Sequence, residues 1–183
     1  MNALDSSHRE TASLTDIATP FGMVRLVWQD ENIVKVALGP YQPESILPVV
    51  LLGLPSHARG RRLVAAFLAY FRGEQVVFPC PLPESEGTEF QRTVWRALAR
   101  IPYGTCQGYG ELAGGLGMPS GSARAAGSAC ARNPLPVIYP CHRVVAATGA
   151  LTGFGAGLAW KAALLELEGV PLDRARMQVT RMR

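Results

Sequence analysis

Gly110-Glu-Leu-Ala-Gly-Gly-Leu116, Gly117-Met-Pro-Ser120 and Gly121-Ser-Ala-Arg-Ala-Ala-Gly-Ser-Ala-Cys-Ala-Arg132 run on without a break. A helix fits Gly110 to Leu116, and the Gly-Met-Pro-Ser stretch reads as a turn. Gly121 to Arg132 reads as a further helix built of Ser, Ala and Gly with little else. A helix, a tight turn and a helix of small residues form the pattern of a helix-turn-helix. Asn133-Pro-Leu-Pro136 then stops the chain sharply, because proline cannot continue a helix.

Toward the N-terminus, Thr88 is an N-cap candidate ahead of Phe90, Val94, Trp95, Leu98 and Ile101, which recur at helical spacing. Pro102-Tyr-Gly104 ends that helix. The polar stretch Pro81-Leu-Pro-Glu-Ser-Glu-Gly87 reads as a linker, which divides the chain into residues 1–85 and 86–183. In the first part, Gly22–Trp28 and Ile33–Leu38 read as strands joined by a turn at Asp30-Glu31-Asn32. Leu63–Phe71 reads as a helix closed by Gly73, and Val76–Phe78 as a further short strand. This is a small α+β unit in which nothing looks catalytic. The first dozen residues are polar and are expected to fray.

Toward the C-terminus, Val137-Ile-Tyr139 reads as strand-like and leads into Pro140-Cys-His-Arg-Val-Val145. A Gly-rich loop from Thr148 to Gly157 precedes a last helix, Leu158 to Leu167, capped by Gly169. The basic tail from Pro171 is expected to be loose.

The chain has 183 residues, of which 48% are hydrophobic and 17% charged. That balance supports a packed core and excludes a disordered tail or a coiled coil. No apolar run reaches the roughly 18 residues of a membrane span. The start shows no basic segment followed by an apolar one, so a cytoplasmic protein is expected. Cys80, Cys106, Cys130 and Cys141 show no CxxC pair and no zinc-ligand spacing, which argues for free thiols and no metal. The net charge of +4 is uneven: −1 over residues 1–85 and +5 over residues 86–183. A basic surplus of this kind attracts a polyanion such as nucleic acid, although solubility alone could account for it.

Cys141 and His142 are adjacent. A cysteine attacks as the thiolate, and a free thiol with a pKa of about 8.5 is mostly protonated at neutral pH. A nearby imidazole, directly or through one water, can take the proton. A carboxylate on the other ring nitrogen would hold the tautomer, and Glu168 is a candidate. The plain alternative is that Cys141 is a small buried hydrophobe. Cys80, Cys106 and Cys130 lack an adjacent histidine and read as packing or surface thiols. His8 and His57 read as solvated, and Trp28, Trp95 and Trp160 as core.

Pro140-Cys-His-Arg-Val144 resembles the active-site signature of the O6-alkylguanine-DNA alkyltransferases. Ile101-Pro-Tyr-Gly104, Tyr109-Gly-Glu-Leu-Ala113, Ala123-Arg-Ala125, Arg132-Asn-Pro134, Leu151-Thr-Gly153 and Leu164-Leu-Glu-Leu-Glu-Gly169 are similar to family segments and keep the family order. The resemblance covers about residues 88–169 strongly. It implies an α+β fold, with a small ribonuclease-H-like α/β domain followed by a mostly helical domain bearing a winged-helix-like helix-turn-helix. It implies DNA repair by direct reversal: the alkyl group of O6-alkylguanine, and of O4-alkylthymine, passes to a cysteine once and irreversibly. No cofactor is implied. The partner is double-stranded DNA held through the minor groove by a monomer, with no membrane and no metal involved.

The resemblance also assigns roles at matching positions. Cys141 is the alkyl acceptor, His142 the general base acting through a water, and Glu168 its carboxylate partner. Asn133 matches the hinge asparagine that bonds the helix-turn-helix to the active-site strand. Arg124 matches the arginine that fills the gap left by a flipped nucleotide. Tyr109 matches the tyrosine that crowds the 3′ phosphate and protonates the leaving guanine. Lys161 falls at the family's lysine on the last helix. DNA contacts fall on Arg124, Tyr109, Ser122, Ala123 and Cys130, and the base pocket on Pro136, Val144, Phe154, Gly155 and Ala156. A small-residue helix suits a minor groove only about 6 Å wide.

Some positions depart from the family pattern. Phe154 stands where Tyr is frequent, and Ala156 where a glycine often lines the pocket. Ser120-Gly-Ser122 is a longer turn than usual, and Ser128 to Ala131 is spelled differently. Two other functions compete. A non-catalytic sensor of alkylated DNA would lack the acceptor cysteine, which is present here. A Cys-His hydrolase would leave Arg124 and the small-residue helix without a role.

Overall fold

The computed structural model describes residues 12–42, 50–79 and 86–180. The expected fraying of the first dozen residues falls almost wholly outside the described residues. The same is true of His8, Cys80, most of the Pro81–Gly87 linker and the boundary at residue 85.

The N-terminal unit is a four-stranded antiparallel sheet with one helix. Its strands are β1 (Ala12–Thr19), β2 (Gly22–Gln29), β3 (Asn32–Leu38) and β4 (Val50–Leu52), in the spatial order β3-β2-β1-β4. β2 and β3 lie where the apolar runs place them, and Asp30 turns between them at φ 53°. Alternation along β2 buries Val24, Leu26 and Trp28 on one face. β1 precedes the two strands expected from the sequence; its first three residues are exposed, and burial begins at Thr15. Helix α1 (Ala58–Phe71) lays Leu63, Val64, Phe67 and Tyr70 on the sheet. It begins five residues before its apolar run. His57 is therefore not a solvated side chain: its Nδ1 accepts from Gly60 N at 2.9 Å as the N-cap, and its ring meets Trp28 edge-on. Val76–Phe78 belongs to no strand.

In the C-terminal unit, α2 (Glu89–Leu98) starts at Thr88 with a reciprocal capping box to Gln91. The short strand β5 (Gln107–Gly108) precedes α3 (Tyr109–Gly115), and α4 (Ala123–Ala131) follows the turn as the second helix of the helix-turn-helix. Ala126, Ala129 and Cys130 of α4 are buried, while Arg124, Ala125, Ser128 and Ala131 are exposed. Trp95 Nε1 donates to Ala129 O at 2.8 Å and pins α4 to α2.

After α4, residues 134–139 form a tight turn, where the sequence suggested a strand. Val137 sits at φ 75° and is 1% exposed. Left-handed backbone at a β-branched residue costs about 1 to 3 kcal/mol and persists only where packing overdetermines it. A 3-10 turn, Cys141–Arg143, follows, then β6 (Val144–Val145), parallel to β5. Helix α5 (Leu158–Leu167) is buried on nearly every face. The tail is ordered, not loose: β7 (Leu172–Asp173) and β8 (Gln178–Val179) form a hairpin, Val179 is buried, and Arg174 pairs with Glu166. Trp28, Trp95 and Trp160 are all core residues. Among the described residues no helix is long and apolar enough to cross a membrane.

Candidate active site

The turn at 134–139 folds the chain back so that Asn133 and Cys141 meet. Asn133 Nδ2 donates to Tyr139 O at 2.7 Å and to Cys141 Sγ at 3.3 Å, while its Oδ1 accepts from Leu135 N at 3.0 Å. One amide therefore holds the end of the helix-turn-helix, the turn and the sulfur together.

The 3-10 turn buries His142 completely. His142 Nε2 lies 2.8 Å from Glu168 Oε1, which places the proton on Nε2 and leaves Nδ1 as the basic atom. Nδ1 is buried and has no hydrogen-bond partner among the described residues. Glu168, just past the end of α5, is also the hub for three further donors. Arg143 reaches it side-on through Nε and Nη2 at 2.8 and 2.9 Å, Tyr70 Oη at 2.7 Å and Gly104 N at 3.2 Å. Gly104 has φ 73°, and a Cβ there would lie 2.9 Å from Glu168 O, so this approach requires glycine.

The electrostatics follow from burial and charge. Burial alone would raise the Glu168 carboxyl, but His142 and Arg143 outweigh it and hold the group well below the usual carboxylate range. Burial pushes His142 below its ordinary value, with Glu168 pulling the other way. Burial pushes the Cys141 thiol up, while the Asn133 amide and the Lys161 ammonium oppose the shift. The resting pair is therefore a neutral thiol beside a neutral imidazole, with Glu168 ready to stabilise an imidazolium. Lys161, fully buried on α5, donates to Val144 O at 2.6 Å and Thr152 O at 2.7 Å, and burial lowers it to about 8.

Cys141 lines a cavity of about 260 Å³. Pro136, Phe154, Gly155 and Ala156 line it as expected. Val144 does not: it is fully buried, with its carbonyl engaged by Lys161. Cys130 also departs from expectation. It lies on the inner side of α4, 6% exposed, and lines this cavity beside Asn133 and Cys141 instead of the outer face. Burial pushes its thiol up to about 12. Arg124 is exposed on α4, with Ser122 and Ala123 half-buried at its start. Tyr109, at the start of α3, donates to Thr152 O at 3.3 Å, with Lys161 Nζ 5.7 Å from its ring centroid. A larger cavity of about 430 Å³ between α2 and α3 contains Cys106, whose thiol burial pushes up to about 11, but no histidine.

The sequence reading missed three contributors. Arg143 lies inside the quoted signature but carried no role there. Tyr70 is hidden in the apolar run of α1, although a buried phenol needs a partner for its hydroxyl. Lys35 to Leu38 of β3 form one wall of the Cys141 cavity, which no local pattern announces.

Comparison with known proteins places the chain in a family. A family profile described as "6-O-methylguanine DNA methyltransferase, DNA binding domain" matches residues 89–170. The methylated-DNA–protein-cysteine methyltransferase of Mycobacterium bovis is 53% identical over 100 residues, 55% of this chain and 59% of that protein, so the match spans less than two thirds of that relative. The constitutive enzyme of the same name from Bacillus subtilis is 35% identical over 161 residues, 85% of this chain and 94% of that protein. The crystal structure of Mycobacterium tuberculosis O6-methylguanine methyltransferase superposes with a TM-score of 0.70 at 37% identity, covering 90% of this chain and 98% of that one. That of Mycobacterium tuberculosis OGT in complex with DNA gives 0.69 at 39% identity, covering 84% and 91%. With one relative matched over nearly its whole length, and the profile falling on the half that holds Cys141 and Glu168, the chain belongs to the methylated-DNA–protein-cysteine methyltransferase family.

Proposed function

We propose that the protein repairs DNA by moving the alkyl group of O6-alkylguanine, and of O4-alkylthymine, onto Cys141, once per molecule. The observation that carries this reading is the placement of Cys141. Cys141 lines a base-sized cavity, its sulfur accepts a hydrogen bond from Asn133, and the neighbouring His142 is locked by Glu168.

The target carbon lies inside stacked DNA, so the nucleotide must be extruded, at a cost of a few kcal/mol. Arg124, exposed on the small-residue helix α4, fills the gap as that helix lies in the minor groove. His142 Nδ1 takes the Cys141 proton through a water, and Glu168 stabilises the imidazolium. The sulfur attacks the alkyl carbon in line. The S–C bond forms as the C–O6 bond breaks, and the electron pair leaves with the guanine, which Tyr109 protonates. The product is a thioether, and water has no good leaving group to displace from it, so the protein is spent. The reaction needs no cofactor or metal. Residues 1–85 and 86–183 act as separate domains of a cytoplasmic monomer, the first forming part of the pocket wall.

The test is a titration with the protein limiting. Duplex DNA carrying one O6-methylguanine loses lesions up to one equivalent per protein molecule and then stops. Continued turnover, or tight binding with the lesion left intact, overturns the reading, and the second result identifies a sensor.

A further inference from the structure

Among the described residues Lys35 is the only charged one lining the Cys141 cavity. It belongs to β3 in the N-terminal unit, where Val36 points inward at 3% exposure and Lys35 outward to solvent. An exposed side chain on a residue that lines the cavity belongs at its solvent-facing mouth, not on its floor. Its place relative to Cys141 is fixed, because Val36 N donates to Pro134 O at 2.9 Å and clamps β3 against the segment leading from Asn133 to Cys141. Trp160 Nε1 donates to Gly39 O at 2.7 Å and anchors the end of the same strand to α5. Among the described residues Lys35 has no hydrogen-bond or ion-pair partner. A cation so placed, without an anion of its own among the described residues, faces whatever enters the cavity.

Resting on the reading that a flipped nucleotide enters this cavity, we propose that Lys35 binds a backbone phosphate of that nucleotide, so that the N-terminal unit takes part in DNA recognition. A base inserted toward Cys141 leaves its phosphates at the mouth, where phosphate contacts set register without reading sequence. The rest of the lining described is uncharged, and a free purine offers Lys35 no anion.

The experiment compares Lys35→Ala and Lys35→Arg with the wild type on two substrates, a duplex containing O6-methylguanine and free O6-benzylguanine. The readout is the ratio of the two second-order rate constants, together with the salt dependence of duplex binding. For Lys35→Ala the ratio falls about threefold to fivefold, the size of an exposed charge pair. The slope of log affinity against log salt becomes shallower by about 0.9, one phosphate contact. Lys35→Arg stays close to the wild type in both. An unchanged ratio with an unchanged slope in Lys35→Ala overturns the proposal, and so does an equal loss on both substrates. A wild-type protein that alkylates neither substrate overturns the underlying reading instead, so the two failures are distinct.

Discussion

The Tyr70 hydroxyl donates to Glu168 Oε1 at 2.7 Å, joining helix α1 of the N-terminal unit to the carboxylate that holds His142. Both groups are buried. The N-terminal unit is thus part of the polar centre of the molecule as well as a wall of its cavity.

Tyr70→Phe removes this one bond and leaves Glu168 its donors from His142, Arg143 and Gly104. Urea unfolding should show a loss of about 1.5 to 3 kcal/mol, the range for a hydrogen bond to a charged group. A variant as stable as the wild type would mean that the bond contributes nothing to holding the two units together.

The pH profile tests the state of His142. Burial holds the imidazole below its ordinary value, so its basic form persists below about pH 6.5. The rate with free O6-benzylguanine should therefore hold as pH falls through 6.5 and decline only below it. A midpoint at or above 6.5 argues against a buried neutral base.

Glu168 gives a second pH signature. Its carboxyl is depressed in the folded protein, so its stabilisation is complete above the unfolded value of about 4.3 and is lost as pH falls from there toward the folded value. At neutral pH, Glu168→Gln leaves the buried guanidinium of Arg143 without its carboxylate and costs about 3 to 5 kcal/mol. Denaturation measured from pH 7 to pH 3 should show the gap between the two proteins narrowing below about pH 4.3. A constant gap would mean that Glu168 is not ionised in the fold.

Arg124 lies on the exposed side of α4, apart from the buried network. Arg124→Ala should slow repair of the duplex far more than reaction with free O6-benzylguanine, because the free base needs no flipping. Equal losses on the two substrates would contradict the gap-filling role.

Much of this site could be read along the chain, because its parts are local in sequence or lie in a recognisable segment. Cys141 and His142 are neighbours, Thr88 is the N-cap its sequence suggests, and α5 begins and ends where the Gly-rich loop and Gly169 place it. What was hidden depends on contacts distant in sequence. Tyr70 meets Glu168 across 98 residues, and the β3 wall reaches the cavity only after the two units dock. The apolar run Val137–Tyr139 looked like a strand because its residues favour one, but the requirement that Asn133 reach back to Cys141 imposes a turn and a left-handed valine. Cys130 and Val144 were misplaced for a related reason: spacing assigns a residue to a segment but does not say which side of it faces the cavity.

The most direct measurement is the intact mass of the protein after incubation with a duplex containing O6-methylguanine, followed by peptide mapping. The account predicts a gain of one methyl group, located on Cys141 and absent from a folded Cys141→Ala variant. No gain in folded wild-type protein, or a methyl carried by another residue, would contradict it.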